Sequence, residues 1–153
     1  MKSIEEVNED HLNDLAADVY PHAKMLIGKL RQAARSISAD RDILITAGFR
    51  SVRAQEELYA QGRTKPGPIV TYARGGESTH NHGRAIDIVL VRISHDDDGE
   101  RRRAVWCADE QMRVEYGIYG RIGEHMGWTW GGRWRMRDYY HFERQFVRRK
   151  YLG

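Results

Sequence analysis

A histidine and an aspartate stand seven positions apart in the segment 78–87, which reads Ser-Thr-His-Asn-His-Gly-Arg-Ala-Ile-Asp. The aspartate, Asp87, falls inside an apolar strand-like run at 85–91, where a buried carboxylate is costly unless a cation or hydrogen bonds meet it. His80 precedes this run across a glycine bend and would bind the same cation, with His141 as a distant third ligand. Two imidazoles and one carboxylate are the ligand set of a catalytic zinc site, which keeps its fourth position open.

The spacing alone leaves other assignments open. His82 follows His80 by two positions, so this pair would also place two imidazoles on one side of an extended chain. Hydrolysis further needs a base that takes a proton from the attacking water and returns it to the leaving group. Asp138, three residues before the last histidine of the chain, is the first candidate for this base, and Glu143 and Glu77 are the alternatives.

Composition and cysteine usage exclude several other classes of protein. Cys107 is the only cysteine, so the chain has neither an internal disulfide nor a cysteine-rich zinc site, and its Ala-Val-Trp-Cys-Ala surroundings predict the start of a packed helix. The net charge is only +3 and no nucleic-acid recognition module is present, so we expect no nucleic-acid partner. The first residues contain no apolar run, which predicts no signal peptide, no membrane span and synthesis in a cytoplasm.

Helices and a strand are predicted ahead of the histidine motif. Apolar residues recur every three or four positions over 12–37, which predicts one helix that kinks at Pro21 or two helices, the second beginning there. Residues 43–47 predict a buried strand. Ser51 then has the position of an N-cap for a helix over 52–61.

The remaining segments predict shorter elements. Residues 63–76, which are rich in glycine and proline, predict a loop with a short strand at 69–71. Residues 93–103, with three consecutive aspartates and three consecutive arginines, predict an exposed loop. An amphipathic helix is predicted over 109–126, and a strand begins at 128–130.

This order of elements predicts an α+β protein with N-terminal helices followed by a small antiparallel sheet that carries the zinc site. A length of 153 residues suits one domain with a core of its own, and we expect residues 1–153 to form that single domain.

The motif Ser-x-His-x-x-Gly-x-Ala-x-Asp at 78–87 resembles the first half of the zinc site in a family of zinc peptidases. This family includes D-Ala-D-Ala carboxypeptidases, L-alanyl-D-glutamate endopeptidases and, distantly, lysostaphin-type enzymes and the hedgehog signalling domain. Further matches to the L-alanyl-D-glutamate endopeptidase branch follow in order along nearly the whole chain, at 48–51, 55–59, 62–64, 66–67, 70–71, 130–132, 134 and 138–143. The chain departs from the family at Arg133, where an acidic residue is frequent, and at Tyr140, where proline is frequent.

The resemblance implies three ligands for one zinc ion, namely His80, Asp87 and His141. It implies that Asp138 is the general base and acid, and that Arg50 holds the substrate carbonyl and stabilises its oxyanion. Gln55 and Ser78 would hydrogen-bond the bound peptide. The sequence leaves two roles for Trp130 and Trp134, as walls of a substrate groove or as part of the core.

The implied function is hydrolysis of the L-Ala–D-Glu bond in peptidoglycan stem peptides by a monomeric, single-domain phage or prophage endolysin. Such a protein is made in the cytoplasm of the producing cell, has no separate cell-wall-binding domain and needs a holin to reach the periplasmic or wall peptidoglycan. A basic tail at 144–150 would bind the anionic envelope. The alternatives are a D,D-carboxypeptidase or dipeptidase of the same family and, in another class, a non-catalytic metal-containing binding module.

Overall fold

The computed structural model describes residues 1–145, which form four helices and five strands. The helices are α1 (Ile4–Asn13), α2 (Tyr20–Ile37), α3 (Val52–Ala60) and α4 (Glu110–His125). The strands are β1 (Arg41–Ala47), β2 (Ala85–Asp96), β3 (Gly99–Val105), β4 (Thr129–Trp130) and β5 (His141–Glu143). The predicted α+β class, with N-terminal helices and a small antiparallel sheet, is confirmed. No helix among residues 1–145 combines the length and the hydropathy that a membrane crossing needs.

β2 is the centre of an antiparallel sheet in which the strand order is β1-β2-β5-β4, with β3 also paired to β2. β1 pairs along one side of β2, where Ile43 lies opposite Leu90. On the other side, β5 pairs with the first residues of β2, and β3 pairs with the last ones. The register of β5 places His141 directly opposite Asp87.

The side chains of β2 alternate between two apolar clusters, as its sequence predicts. Ile88 and Leu90 are fully buried in the main core, which α2 and α4 cover. Val89 and Val91 point to the opposite face of the sheet and pack against Ile4 of α1. Because both faces of β2 are covered, its register is strongly fixed, and with it the position of Asp87.

The N-terminal apolar pattern belongs to two helices rather than to one kinked helix. α2 begins at Tyr20 and carries Pro21 in its first turn, where the missing N–H is not needed. α1 begins eight residues earlier than the predicted pattern, at a capping box in which Ser3 and Glu6 bond each other's backbone N–H.

Asn8 of α1 covers the outer edge of β1, which has no neighbouring strand on that side among residues 1–145. Its Nδ2 donates to the carbonyl of Ile43 at 3.0 Å, and its Oδ1 accepts from the N–H of Ile45 at 2.7 Å. These are the groups that a further strand would bind, so one side chain blocks the exposed edge of the sheet.

Two sequence predictions about loops and strands were wrong. Residues 93–103 form a hairpin, because β2 runs on to Asp96 and β3 starts at Gly99. These strands were not predicted because both of their faces are largely exposed. Their sequence is therefore polar and lacks the alternation of apolar residues that indicates a half-buried strand. The strand predicted at 69–71 is absent from the described structure, where this segment has no regular secondary structure.

Two further predictions concern Cys107 and the tail. Cys107 lies before α4 rather than at the start of a helix, since the N-cap of α4 is Asp109. The Cys107 thiol is half-buried, and this burial raises its pKa. The basic tail predicted at 144–150 lies, beyond Gln145, outside the described residues.

Candidate active site

Two local features bring His80 to the Asp87–His141 pair. His80 lies in a 3-10 turn, Thr79–His82, directly before β2. Gly83 ends this turn with φ of +64°, a conformation that residues with a Cβ rarely adopt. A Cβ on Gly83 would also lie 2.7 Å from the backbone N of Ala16, so the close approach of these two segments requires glycine.

The nitrogen and oxygen atoms of the three side chains converge on one point. Asp87 Oδ1 lies 3.0 Å from His141 Nδ1 and 3.3 Å from His80 Nε2. The two rings are perpendicular neighbours with centroids 5.1 Å apart, and both histidines are buried. Bonds of about 2.0–2.1 Å from zinc place tetrahedral ligands about 3.4 Å apart, so these separations suit such an ion.

The outward nitrogen of each ring is held by an acceptor from the protein. His80 Nδ1 lies 2.7 Å from the carbonyl oxygen of Gly48, and His141 Nε2 lies 2.9 Å from Glu143 Oε1. These contacts orient both rings so that the opposite nitrogens face the centre with their lone pairs. The donor set and its surroundings therefore fit a divalent metal ion, and His80, Asp87 and His141 are the residues that could hold it.

The charges of the three side chains agree with this interpretation. Burial opposes ionisation of Asp87, but hydrogen bonds with His141 and His80 hold its pKa well below the usual range. Burial also favours the neutral form of His141, yet hydrogen bonds with Asp87 and Glu143 outweigh it and raise its pKa to about 9. The centre thus favours positive charge.

Asp138 lines the same cavity, whose volume is about 610 Å³, as the three candidate ligands. Burial and the negative charge of Asp87 raise the pKa of Asp138 above its ordinary value. The backbone N–H of Tyr140 donates to Asp138 Oδ1 at 3.1 Å and fixes the carboxyl group. A positioned carboxyl with a raised pKa is suited to both accepting and returning a proton.

Arg50 also lines this cavity and is joined to the metal centre through the backbone. Its N–H donates to the carbonyl of His80 at 3.0 Å, and its guanidinium Nη1 donates to Gln55 Oε1 at 3.0 Å. A neutral amide therefore holds the guanidinium in place, and this contact does not neutralise its positive charge.

Gln55 lies beneath Arg50 rather than at the cavity surface. It is 1% exposed, and its Nε2 donates to the carbonyl of Ala73 at 2.9 Å and to Thr71 Oγ1 at 3.3 Å. Both ends of its amide bind protein groups, so in this geometry Gln55 supports Arg50 and the cavity wall. A direct contact between Gln55 and a bound peptide stays a prediction.

Ser78 lines the cavity, and it also caps the turn that carries His80, since Ser78 Oγ accepts from the N–H of His80 at 3.3 Å. Asn81, which the sequence analysis did not single out, ties this turn together. Its Oδ1 accepts from the N–H of Gly76 and of Ser78, while its Nδ2 donates to the carbonyl of Arg50 at 2.9 Å. The asparagine that directly follows His80 in the motif at 78–87 is the sequence signal for this role.

The alternative candidates for ligand and base have different surroundings. His82 is exposed and its Nε2 lies 3.0 Å from the carbonyl of Gly76, and it does not belong to the metal-capable cluster of the described residues. Glu77 lines the cavity, and its carboxylate accepts from the N–H of Arg74. Glu143 contacts the outward side of His141.

The two tryptophans have different environments. Trp130 is 6% exposed and belongs to the core, where its indole packs against Gly120 of α4 and Gly132. Trp134 is 37% exposed, lines the cavity and has its ring centroid 5.0 Å from that of His141. Trp134 is thus the tryptophan that forms a groove wall.

Comparison with known proteins agrees with this geometry. Residues 71–144, which include the three candidate ligands and Asp138, match the peptidase M15 family model described as D-alanyl-D-alanine carboxypeptidase. The chain is also 41% identical over 132 residues to the peptidoglycan L-alanyl-D-glutamate endopeptidase CwlK of Bacillus subtilis (strain 168), an alignment that covers 83% of this chain and 74% of the relative. The chain therefore belongs to the M15 family of metallopeptidases.

Proposed function

We propose that this protein is a zinc-dependent endopeptidase that hydrolyses the L-Ala–D-Glu bond of peptidoglycan stem peptides. The observation that carries the proposal is the convergence of His80, Asp87 and His141 in one cavity with Asp138 and Arg50. The choice of bond is supported by the similarity to CwlK, whose name states that specificity.

The cavity residues divide the work of peptide hydrolysis between them. A divalent ion held by the three ligands would supply Lewis acidity toward the scissile carbonyl. Arg50 places a guanidinium at the cavity wall, where it stabilises the negative charge that develops on the carbonyl oxygen. Gln55 keeps this guanidinium fixed, so little reorganisation is needed when the charge appears.

Asp138 moves the proton. Its Oδ1 is engaged by the N–H of Tyr140, which leaves Oδ2 to accept a proton from the attacking water. The same carboxyl then donates this proton to the departing amine as the C–N bond breaks. Burial and the negative charge of Asp87 raise the pKa of Asp138, which favours the protonated form that this step passes through.

A D,D-carboxypeptidase is the second candidate, because the matching family model carries that description. Both activities use the same metal centre, base and arginine, and they differ in which bond of the stem peptide lies over the centre. Product identity separates them, since the endopeptidase exposes new amino groups on D-Glu, whereas the carboxypeptidase releases free D-Ala.

The test is digestion of purified peptidoglycan by the zinc-loaded protein, followed by mass spectrometry of the products. We expect new D-Glu amino termini, their loss after treatment with a chelator, and their return when zinc is added back. Release of free D-Ala instead would favour the second candidate. No cleavage of any stem-peptide bond by folded, zinc-loaded protein would contradict both.

The proposed biological setting is lysis of a host cell by a monomeric phage or prophage endolysin that reaches the wall through a holin. This setting is supported by the resemblance to single-domain endolysins of similar size. Expression in bacteria with and without a co-expressed holin tests it: lysis only in the presence of the holin is expected, and lysis without it would contradict the need for that partner.

A further inference from the structure

Glu143 is a buried acid whose two carboxylate oxygens are both engaged within the described structure. It is 7% exposed at the end of β5. Its Oε1 lies 2.9 Å from His141 Nε2, and its Oε2 accepts from Gln145 Nε2 at 3.0 Å. Burial of a carboxylate is costly unless partners compensate its negative charge, and His141 and Gln145 are those partners here.

The period of the strand explains why this carboxylate meets the imidazole. Residues two apart on a strand point to the same side, so His141 and Glu143 lie next to each other on β5. The contact is made on the nitrogen that faces away from Asp87, since His141 Nδ1 is the atom 3.0 Å from Asp87 Oδ1. Glu143 thus contacts the ring from the side opposite to the metal centre.

A neutral imidazole carries one N–H, and an acceptor on one nitrogen fixes that hydrogen there. The Glu143 carboxylate therefore holds the proton of His141 on Nε2 and leaves the lone pair of Nδ1 for a metal ion. The other histidine is arranged the opposite way, because His80 presents Nε2 to the centre and its Nδ1 lies 2.7 Å from the carbonyl oxygen of Gly48.

The two outer acceptors differ in charge, which makes the two ligands unequal. A backbone carbonyl orients His80 without adding a charge, whereas the carboxylate of Glu143 makes the ring of His141 a stronger donor. Together with Asp87, Glu143 also brings two negative charges to a centre that would hold a divalent cation.

We propose that Glu143 is a positioning residue, which fixes the tautomer of His141 and strengthens it as a metal ligand, and that Gln145 in turn holds Glu143. This inference rests on the proposed function in that it assumes a metal bound by His141. It assigns to Glu143 a role different from that of the proton-transferring base, which remains Asp138.

The primary test is zinc affinity, measured by competition with a chromophoric chelator. Glu143→Gln keeps the size and an acceptor oxygen but removes the charge, and it should weaken zinc binding by about 10–100-fold. Gln145→Leu, which leaves Glu143 in place, should weaken it less. Glu77→Gln makes the same chemical change on another acid of the cavity, where no histidine is contacted, and should leave zinc affinity unchanged.

A second measurement reports the tautomer directly. Nitrogen-15 NMR of the zinc-loaded protein should show His141 with its proton on Nε2, shifted to low field by the carboxylate. This proton signal should move to higher field in Glu143→Gln. Zinc affinity within twofold of the unsubstituted protein, together with an unchanged His141 signal, would overturn the inference.

The zinc-affinity and NMR measurements do not depend on which bond of the stem peptide the protein cleaves. Weakened zinc binding in Glu143→Gln supports the role of Glu143 even where the unsubstituted protein cleaves no stem peptide, an outcome that would defeat only the proposed function. Conversely, full cleavage with unchanged zinc affinity in Glu143→Gln defeats the inference and leaves the proposed function standing.

Discussion

Replacing Gln55 with leucine should damage both the stability of the fold and the activity, because this buried amide joins three parts of the site. The change keeps a side chain of similar size but removes the acceptor for Arg50 Nη1 and the donor to the carbonyl of Ala73. It also removes the longer bond to Thr71 Oγ1, at 3.3 Å.

The size of the effect follows from these contacts. A hydrogen bond to a charged group contributes about 1.5–3 kcal/mol and a neutral one about 1 kcal/mol. Arg50 and Ala73 are only half-buried, so water replaces part of what is lost. We expect the free energy of unfolding to fall by about 2–3 kcal/mol, which lowers the urea midpoint by about 1–2 M.

Activity should fall beyond the loss of stability, since Arg50 loses its fixed orientation. We expect kcat/KM on stem peptides to drop by about 10–100-fold under conditions where the variant is fully folded. Gln61→Leu is the matched control, because the side chain of Gln61, the C-cap of α3, makes a single exposed hydrogen bond, to the carbonyl of Pro68. A loss of less than about 1 kcal/mol in Gln55→Leu, with unchanged kcat/KM, would refute the supporting role of Gln55.

Three further predictions concern the base, the core and an ion pair remote from the site. Asp138→Asn should lower kcat by about 10²–10⁴-fold with zinc content unchanged, as measured by metal analysis of the same sample; undiminished cleavage would exclude Asp138 as the base. Gly120→Ala should lower the free energy of unfolding in urea by about 1–3 kcal/mol, because the new Cβ would lie 2.2 Å from the Trp130 ring. Its control, Gly28→Ala, has no atom within 4 Å of the new Cβ and should raise stability by about 0.5–1 kcal/mol. Burial opposes ionisation of Asp42, yet its hydrogen bonds with Arg31 and Arg35 lower its pKa in the folded protein. The ionised carboxylate therefore stabilises the fold fully at pH values above its ordinary pKa, near 3.8. This stabilisation is lost as the pH falls through the lower pKa of the folded state. Asp42→Asn should therefore cost about 2–4 kcal/mol at pH 7 and progressively less in urea titrations below pH 4, and a cost independent of pH would contradict this linkage.

Much of the site could be predicted because its chemistry depends on short-range sequence spacing. The alternation in β2 fixes which residues are buried, and this alone places Asp87 apart from Ile86 and Ile88. His141 was the leading candidate for the third ligand from the residues and the resemblance alike, and the register of β5 against β2 brings it side by side with Asp87. Sequence spacing could not supply that register, since the strands are separated by the hairpin and by α4.

The parts that sequence reasoning missed are those where polar groups bind one another inside the fold. The resemblance assigns Gln55 to the bound peptide, and this stays a prediction; what the sequence did not indicate is that its amide binds Arg50 and the carbonyl of Ala73. Asn81 was not singled out because its amide binds the carbonyl of Arg50, which is distant in sequence. Glu143 was considered only as a base, because the sequence does not show that its carboxylate contacts Nε2 of His141. The β2–β3 hairpin was missed for a different reason, since its exposed faces carry no apolar alternation.

The short segment after β1 both contacts His80, a candidate metal ligand, and carries Arg50, the candidate oxyanion-binding residue. The carbonyl of Gly48 holds the ring of His80, and two residues later the N–H of Arg50 binds the carbonyl of His80. A shift of His80 would therefore be transmitted through two hydrogen bonds to the backbone that carries Arg50. Because coupling between binding free energies is reciprocal, a ligand that engages Arg50 should also tighten the binding of a metal ion at His80, so occupancy by substrate and affinity for the metal would rise together.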